Sequence, residues 1–301
     1  MRMGIIGLGR MGFNIMLHLL EQGHEVVAYN RSKESVDKAG KAGAMTAYSL
    51  DEFCANLPAP RVILLMVPAG HPVDEVLKGL KTHLKKGDIV IDGGNSNYQD
   101  SVRRAKKMAK GGVQYLDCGT SGGLSGARHG ACLTIGGNEK AYRKLLPLWR
   151  SIACEGGFLY CGPSGAGHYV KTVHNGIEYG LLQAYGEGFE LLHKAPYKLK
   201  LDKIAGVWTH GSVIRSWLLE LAQEKLKTDP RLQNVVGKIG GGETGRWAIE
   251  EAKRRKTDMP VLSASLKARR LSEKHESVSG RVIAYIRNGF GGHEMVLKKK
   301  K

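Results

Sequence analysis

The chain of 301 residues has little cysteine, few aromatic residues and no long apolar run. Its five cysteines are odd in number and form no CxxC pair, so the sequence predicts neither a disulfide framework nor a metal site. We interpret them as buried thiols in a reducing compartment. Because no apolar run is long enough to span a bilayer and the N-terminus lacks a secretory leader, we expect a cytoplasmic protein without a membrane partner.

Acidic residues are also scarce, since 28 Asp and Glu against 46 Lys and Arg leave a net charge of +18. Such an excess is compatible with nucleic-acid binding, with a plain basic surface, or with a site for anionic small molecules. The sequence contains no recognisable DNA- or RNA-binding motif, so we expect no nucleic-acid partner. Most basic residues are scattered, and the run Lys298–Lys301 predicts a solvated tail.

Short apolar runs alternate with helical patterns in the first half of the chain. Strands are predicted at Met3–Ile6, Glu25–Tyr29, Arg61–Val67, Asp88–Ile91, Gln114–Asp117 and Phe158–Cys161. Between them lie segments such as Met11–Gln22, whose apolar residues recur at helical spacing. This alternation is typical of an α/β Rossmann-type doubly wound parallel sheet, and we predict a dinucleotide-binding domain over residues 1–163.

The pattern changes after the turn residues Gly162 and Pro163, because strand-like runs become rare. Helices are predicted at Ala166–Lys194, Lys203–Thr209, Ile214–Lys227, Trp247–Arg255 and Val261–Lys274. We therefore predict an all-α C-terminal domain over residues 164–301, with a role in substrate binding and oligomerisation.

A glycine motif follows the first predicted strand and opens the first predicted helix. It reads Gly7-Leu8-Gly9-Arg10-Met11-Gly12 and fits the G-x-G-x-x-G pattern. In dinucleotide-binding folds these glycines allow a tight turn, close approach of a pyrophosphate, and close packing of helix on strand. The N–H groups at the start of the helix then bind the phosphates. The alternative is a glycine-rich turn without a ligand.

The second predicted strand ends at Asn30-Arg31-Ser32, where NAD-binding sites usually carry an acidic residue. A guanidinium pairs with a 2′-phosphate, and a serine hydroxyl adds a hydrogen bond. The segment therefore favours NADP over NAD. The alternative is that Arg31 points to solvent or stacks on the adenine.

The long helix predicted from Ala166 carries four polar residues at i, i+3, i+4 and i+7. They are Lys171, His174, Asn175 and Glu178. This spacing puts a lysine, an imidazole, an amide and a carboxylate on one stripe, which suits acid–base chemistry. The intervening Val170, Val173, Ile177 and Leu181 are predicted to cover the apolar side of the helix. The alternative is a solvated face with Lys–Glu pairing.

Two further segments offer hydroxyl and backbone N–H groups to an anion. They are Asp117–Gly123, with Thr120, Ser121, Gly122 and Gly123, and Asp92–Asn97, which directly follows a predicted strand. Ligands of open α/β sheets bind beyond the carboxyl ends of the strands. Either segment alone is equally compatible with an ordinary turn.

With these motifs in order, the sequence resembles the decarboxylating 6-phosphogluconate dehydrogenases, in their short form, within the β-hydroxyacid dehydrogenase superfamily. The resemblance covers nearly the whole chain. Besides the segments above, it rests on Ile91–Ser96, on Lys171–Tyr179, on Thr244-Gly245-Arg246-Trp247 (similar to T-G-K-W) and on Arg287–His293 (similar to R-x-x-F-G-x-H).

The resemblance implies oxidative decarboxylation of 6-phosphogluconate to ribulose 5-phosphate and CO2, with reduction of NADP or NAD. Lys171 would be the general base and Glu178 the acid that protonates the enediol. The implied substrate-binding residues are Asn95, Ser121, Gly122, Gly123, His174, Asn175, Tyr179, Thr244, Arg269, Arg287 and His293. The implied cofactor-binding residues are Gly7, Leu8, Gly9, Arg10, Met11, Gly12, Asn30, Arg31, Ser32, Val67, Ala69 and Asn95.

The chain also departs from the longer members of the family. Their phosphate-binding lysine is replaced here by Gly242, and the lysine of their T-G-K-W motif by Arg246, so Arg246 or Arg269 is expected to hold the phosphate. In longer members the C-terminal segment reaches a neighbouring subunit's site. The resemblance therefore implies a homodimer or homotetramer with an isologous interface.

Two other readings remain open at this stage. One is a β-hydroxyacid dehydrogenase that does not decarboxylate, such as a 3-hydroxyisobutyrate dehydrogenase; it would not need His174, Glu178 or the pair Arg287 and His293. The other is a non-catalytic nucleotide sensor or nucleic-acid-binding protein that uses the same fold and the basic charge.

Overall fold

The computed structural model describes residues 1–298, which form two compact units, one over residues 1–171 and one that starts at Thr172. Lys298 forms an ion pair with Glu276, at 2.7 Å between Nζ and Oε1. The rest of the predicted solvated tail, residues 299–301, lies outside the described residues.

The first unit contains an eight-stranded sheet with the order β3-β2-β1-β4-β5-β6-β7-β8. Its strands are β1 (Arg2–Ile6), β2 (Glu25–Tyr29), β3 (Met45–Ala47), β4 (Val62–Leu65), β5 (Ile89–Asp92), β6 (Gln114–Ser121), β7 (Ala131–Gly136) and β8 (Ala153–Gly162). All neighbouring strands are parallel except β6 and β7. The expected Rossmann-type sheet is confirmed, with one antiparallel pair that the alternation of elements did not predict.

Helices cover both faces of this sheet. In the first unit they are α1 (Arg10–Glu21), α2 (Lys33–Lys41), α3 (Leu50–Ala55), α4 (His71–Leu80), α5 (Tyr98–Ala109), α6 (Gly123–His129), α7 (Glu139–Lys144) and α8 (Leu146–Ile152). Strands β4 and β5 are buried at every position, as expected for parallel strands covered on both sides. Successive residues of β1 belong to different cores, Ile5 to the core on one face and Ile6 to the core on the other.

All six predicted strands are present, but β3 and β7 were not predicted. Strand β3 has only three residues, and β7 contains Cys132, Thr134 and Gly136 among its apolar positions. Neither gives the continuous apolar run or the strict alternation from which a strand is predicted.

The second unit is built from helices. Helix α9 (Ala166–His193) begins in the first unit, and α10 (Leu201–Trp208), α11 (Trp217–Thr228), α12 (Glu243–Arg254), α13 (Pro260–Leu271) and α14 (Val278–Gly291) follow. Among the described residues of this unit the β-structure is one isolated bridge, between Val235 and Leu297. The predicted all-α character is therefore confirmed. Helix α14 was missed, although Ser277 caps its start and Gly292, with a φ of 58°, ends it.

Helix α9 exposes the apolar side that the sequence predicted for it. Val170, Val173, Ile177 and Leu181 are 39%, 39%, 58% and 45% exposed. They leave an apolar stripe on the surface of the described chain, whereas the polar Lys171 on the same helix is buried. The periodicity correctly separated the apolar and polar faces of the helix.

Candidate active site

The glycine loop between β1 and α1 has the geometry that a pyrophosphate site requires. Gly7 has a φ of +101°, and a Cβ there would lie 2.5 Å from the carbonyl oxygen of Met66. A Cβ at Gly12 would lie 2.0 Å from the carbonyl oxygen of Gly7, so the helix packs closely on the turn. A Cβ at Gly9 would meet nothing within 4 Å. The open side of the loop is thus at Gly9, which is also the N-cap of α1.

Asn30 at the end of β2 supports this loop. Its side-chain oxygen accepts a hydrogen bond from the backbone N–H of Leu8 at 3.3 Å. Arg31 is exposed and forms no hydrogen bond or ion pair with any described residue, and Ser32 is exposed beside it. Their side chains are therefore available to a ligand.

These residues fit a nicotinamide dinucleotide. The start of α1 offers backbone N–H groups beside open space, which suits a pyrophosphate. The side chain of Val67 lies 2.9 Å from the Cβ position of Gly7, so the segment after β4 borders the same loop. Ala69, also after β4, is half-buried, while Arg10 and Met11 form the first turn of α1.

A buried polar cluster shapes the segment after β5. The carboxylate of Asp92 accepts hydrogen bonds from the N–H of Gly94 at 3.1 Å, from Ser96 Oγ at 2.8 Å and from the Tyr115 hydroxyl at 2.7 Å. Arg104 Nη1 lies 3.5 Å from the same carboxylate. Asn95 is exposed in the middle of this braced loop.

The second candidate anion segment lies where β6 ends at Ser121. The Lys171 ammonium donates a hydrogen bond to Ser121 Oγ at 2.8 Å, and Lys171 is only 9% exposed. Gly122 and Gly123 follow with φ angles of 108° and 57°, which favour glycine. A Cβ at Gly119 would lie 2.5 Å from Lys171 Cβ, so this glycine lets α9 approach β6 closely.

Asp117 fixes the start of α9. Its buried carboxylate accepts hydrogen bonds from the N–H of Gly165 at 2.6 Å and from the N–H of His168 at 2.9 Å. A Cβ at Gly167 would lie 2.5 Å from the carbonyl oxygen of Thr134. Gly167 therefore allows a close approach of α9 to β7.

In the second unit α9 carries the remaining members of the predicted stripe. His174 Nδ1 and Asn175 Oδ1 lie 3.2 Å apart. Asn175 is buried, Glu178 is half-buried and His174 is exposed. Tyr179 follows as a buried residue, and its hydroxyl lies 3.2 Å from Thr244 Oγ1 in α12.

Two guanidiniums lie beside this tyrosine. Arg269 Cζ stacks 3.9 Å from the centre of the Tyr179 ring, and Arg269 Nη1 donates to the carbonyl oxygen of Gly240 at 3.2 Å. Measured from the Cβ position of Gly241, Arg287 Nη2 is 3.3 Å away and Arg269 Nη1 is 3.7 Å away. The negative charge of Glu178 acts on both arginines and raises their pKa, against the larger effect of burial.

Burial is the main cause that lowers the pKa of both guanidiniums. For Arg269, the charge of Arg287 lowers the pKa further. A guanidinium still stays charged at neutral pH. Two guanidiniums held close together offer several charged N–H donors to an anion.

Arg246 and His293 have different surroundings. Arg246 is exposed and lines a cavity of about 430 Å³ with Gly242, Lys253, Arg269 and Arg270. Arg269 thus borders both the cavity and Tyr179. The region after α14 folds back on the helix: Asn288 Nδ2 donates to the carbonyl oxygen of His293 at 3.0 Å, and the His293 ring packs edge-on against Phe290.

Sequence reasoning missed the supporting residues Arg104 and Tyr115, and it named Asp117 only as the first residue of a candidate anion segment. The sequence offers little indication of their role, because a single sequence does not distinguish a buried tyrosine or arginine from one on the surface. Within the described residues, no group of three or more His, Cys, Asp or Glu side chains is placed to hold a metal ion. None of the described helices has the length and apolar character needed to cross a membrane.

Comparisons with known proteins agree with this architecture. Residues 2–162 match the NAD-binding domain of 6-phosphogluconate dehydrogenase, and residues 167–285 match the C-terminal domain of the same enzyme. A decarboxylating, NAD(+)-dependent 6-phosphogluconate dehydrogenase of Haloferax volcanii is 45% identical over 300 residues, with 99% of each chain covered.

Solved structures of known dehydrogenases have the same fold as this chain. The 6-phosphogluconate dehydrogenase of Plasmodium falciparum, determined in apo, NADP+ and 6-phosphogluconate-bound forms, superposes with a TM-score of 0.80 at 33% identity. The match covers 90% of this chain and 62% of that one. A 3-hydroxyisobutyrate dehydrogenase of Salmonella typhimurium matches with a TM-score of 0.77 at 22% identity, over 93% of this chain and 98% of that one, and shares the fold alone. The chain belongs to the 6-phosphogluconate dehydrogenase family.

Proposed function

We propose that this chain oxidises and decarboxylates 6-phosphogluconate to ribulose 5-phosphate and CO2, with NADP as the electron acceptor and NAD as the alternative. The observation that carries the proposal is the pair of guanidiniums of the buried Arg269 and the half-buried Arg287, which meet beside the loop at Gly241. The hydroxyls of Tyr179 and Thr244 lie beside them. A phosphate dianion would accept hydrogen bonds from all four groups.

Lys171 is the proposed base. Its hydrogen bond to Ser121 holds the ammonium nitrogen at the end of β6 and limits its rotation. In the neutral form Lys171 takes the proton of the substrate hydroxyl. A bound NADP or NAD would supply the hydride acceptor for the carbon that carries this hydroxyl. The oxidised acid then loses CO2, and Lys171 returns the proton to the oxyanion that develops.

Glu178 is the proposed acid that protonates the carbon of the enediol. It lies on α9 seven residues after Lys171, so both residues face the same side of the helix. His174 and Asn175 are proposed to orient the substrate hydroxyls, together with Asn95 and the N–H groups of Gly122 and Gly123. His293 is proposed as a further substrate contact.

The cofactor choice rests on Arg31 and Ser32, which are exposed at the end of β2. A guanidinium there would pair with the 2′-phosphate of NADP. The relatives differ in this respect, since the Haloferax volcanii enzyme is named NAD(+)-dependent whereas the Plasmodium falciparum enzyme was solved with NADP+. We propose NADP as the preferred cofactor because Asn30, and not an acidic residue, directly follows β2, where an acidic residue would bind the ribose of NAD.

We further propose a cytoplasmic homodimer or homotetramer with domains over residues 1–163 and 164–301. The exposed apolar stripe of α9 supports self-association, because contiguous apolar surface of this kind usually marks an interface. All five cysteines are free, which suits a reducing compartment.

An absorbance assay of nicotinamide reduction tests the reaction. It would offer 6-phosphogluconate with NADP or NAD, follow CO2 release in parallel, and use gluconate as the matched substrate without phosphate. We expect one CO2 per reduced nicotinamide and a kcat/KM for gluconate that is lower by at least about 100-fold, since two charged hydrogen-bond donors lose their partner. Turnover of 3-hydroxyisobutyrate without CO2, and none of 6-phosphogluconate, would overturn the proposal.

A further inference from the structure

The start of α9 is capped by a carboxylate that belongs to another element. Gly165 directly precedes the helix and has no side chain, and the first turn contains no acidic residue. Asp117 in β6 supplies the cap, because its buried carboxylate accepts hydrogen bonds from the N–H of Gly165 at 2.6 Å and from the N–H of His168 at 2.9 Å. The first N–H groups of a helix have no partner within the helix, so these bonds attach α9 to the sheet.

Strand β7 completes this attachment. A Cβ at Gly136 would lie 2.8 Å from Asp117 Oδ2 and 2.7 Å from the backbone nitrogen of Gly167, so the carboxylate and the helix start fit together only beside a glycine. Two residues earlier in the strand, Thr134 Oγ1 donates a hydrogen bond to the carbonyl oxygen of Gly167 at 3.0 Å. The first turn of α9 is therefore bound to two neighbouring strands.

The same face of β6 carries the contacts of Lys171. Side chains alternate along a strand, so Asp117, Gly119 and Ser121 point to one side of the sheet. A Cβ at Gly119 would lie 2.5 Å from Lys171 Cβ, and Ser121 Oγ accepts a hydrogen bond from Lys171 Nζ at 2.8 Å. Lys171 follows His168 by less than one helical turn, so a shift of the capped helix start moves Lys171 relative to Ser121.

We infer that Asp117 is a positioning residue for the oxidation step, because its carboxylate caps α9 and thereby sets the place of Lys171 beside Ser121. The inference rests on the proposed function, since it takes Lys171 as the base. Asp117 is fully buried and acts only through the helix. Loss of the cap is therefore expected to change the rate of the chemical step, whereas the groups that bind the substrate remain in place.

Asp117→Asn tests this role with little change in size. An amide has one oxygen that accepts and a nitrogen that only donates, so one of the two bonds to α9 is lost. We expect kcat to fall by about 10- to 100-fold and the KM for 6-phosphogluconate to change by less than about 3-fold, because a displacement of about 1 Å slows the reaction without removing a binding group. Steady-state kinetics measure both constants, and thermal melting checks that the variant is folded.

Asp88→Asn is the matched control in the same unit. Asp88 is also a buried carboxylate that accepts backbone N–H bonds, from Arg61 at 2.7 Å and from Lys85 at 2.9 Å. It directly precedes β5 and so lies at the amino ends of the parallel strands, whereas Ser121 ends β6. The control should lower the melting temperature but leave kcat within about 2-fold of the wild type, because distant sites act independently.

The outcomes separate positioning from general stability. A kcat for folded Asp117→Asn equal to that of the wild type, or equal losses of kcat in both variants, would overturn the inference. Should Asp117→Asn not fold, Thr134→Val removes the second bond to the helix start, and a lower kcat at unchanged KM supports the inference whereas an unchanged kcat overturns it. A wild type without activity on 6-phosphogluconate would instead overturn the proposed function, so the two failures are distinguishable.

Discussion

At the scale of single residues, the glycine loop shows that identical residues have different physical duties. Gly12 is required by packing, because any side chain would collide with the backbone of Gly7. Gly9 has open space around its Cβ position and an extended conformation that other residues adopt. The absence of a side chain at Gly9 therefore matters for a ligand that approaches the loop from solvent, and not for packing within the protein.

This difference leads to a paired prediction. Gly12→Ala should destabilise the free protein by at least ~1–3 kcal/mol, the usual cost of overpacking. Gly9→Ala should leave the free energy of unfolding within ~0.5 kcal/mol of the wild type. It should nevertheless weaken NADP binding by more than about 10-fold, because the methyl group occupies the approach of the pyrophosphate. Urea unfolding and fluorescence titration with NADP measure the two effects, and equal cofactor affinity for Gly9→Ala would contradict the assignment of the loop.

Arg31 allows a second prediction at this scale. Arg31→Ala should raise the KM for NADP by about 10- to 100-fold, because a charged hydrogen bond to the 2′-phosphate is lost. The KM for NAD should change by less than about 2-fold, since the surface around the residue is otherwise unchanged. Lys33→Ala, a nearby exposed cation that lies over the Tyr48 ring, serves as the control. A parallel loss for both cofactors would show that Arg31 does not read the 2′-phosphate.

At the scale of elements, an ion-pair cluster joins α4 to α5. Asp74 in α4 accepts hydrogen bonds from Arg103 at 2.8 Å and from Arg104 at 3.0 Å, both in α5. Arg104 is 1% exposed and also approaches Asp92, so the same cluster extends to the braced loop after β5. The position of Asn95 in that loop therefore depends on α4 and α5, two helices that the sequence analysis did not connect with the site.

The charge state of Asp74 makes this cluster sensitive to acid. Burial by itself would raise the pKa of Asp74, but the hydrogen bonds from Arg104 and Arg103 outweigh it and lower the pKa from 3.8 to about 2. A lowered pKa in the folded state stabilises the protein above the unfolded pKa, and this contribution is lost as the pH falls toward the folded pKa. The relevant window thus runs from about pH 4 down to about pH 2.

Asp74→Asn should remove this contribution at every pH. The midpoint of urea unfolding should therefore be lower than in the wild type at pH 5, and the two midpoints should converge as the pH falls through 3. Asp258→Asn, at an exposed position after α12, is the control. Its unfolding midpoint should equal that of the wild type at each pH. If the difference between the unfolding midpoints of Asp74→Asn and the wild type stayed constant from pH 5 to 3, the role of the ionised carboxylate would be contradicted.

At the scale of the whole molecule, the exposed side of α9 sets the expectation for assembly. The apolar stripe extends beyond Leu181 to Leu191, which is 75% exposed. An interface built on this stripe would bury it in a neighbouring copy, as symmetric dimers do. The oligomeric state stays a prediction until it is measured.

Leu181→Asp tests this expectation. A charge placed in an apolar interface without a partner is costly, so the variant should shift the protein to a smaller species in light scattering after gel filtration. Val213→Asp introduces the same charge at a fully exposed position outside α9, and it should leave the mass unchanged. An unaltered mass for Leu181→Asp would show that assembly, if present, uses another surface.

The sequence by itself determined the features that depend on a few neighbouring residues. The glycine motif, the six predicted strands and the long helix from Ala166 follow from local periodicity and turn chemistry, and the family resemblance follows from their order. The catalytic roles of Lys171 and Glu178 stay predictions, although the contact of Lys171 with Ser121 is the kind of contact they require.

Only the tertiary structure decided the features that depend on residues far apart in the chain. It showed that Asn30 braces the glycine loop, that Tyr115 and Arg104 hold Asp92, and that Arg287 meets Arg269. It also showed that the apolar stripe of α9 is exposed. Periodicity separates the faces of a helix but does not say what covers each one, because burial is determined by packing between distant segments.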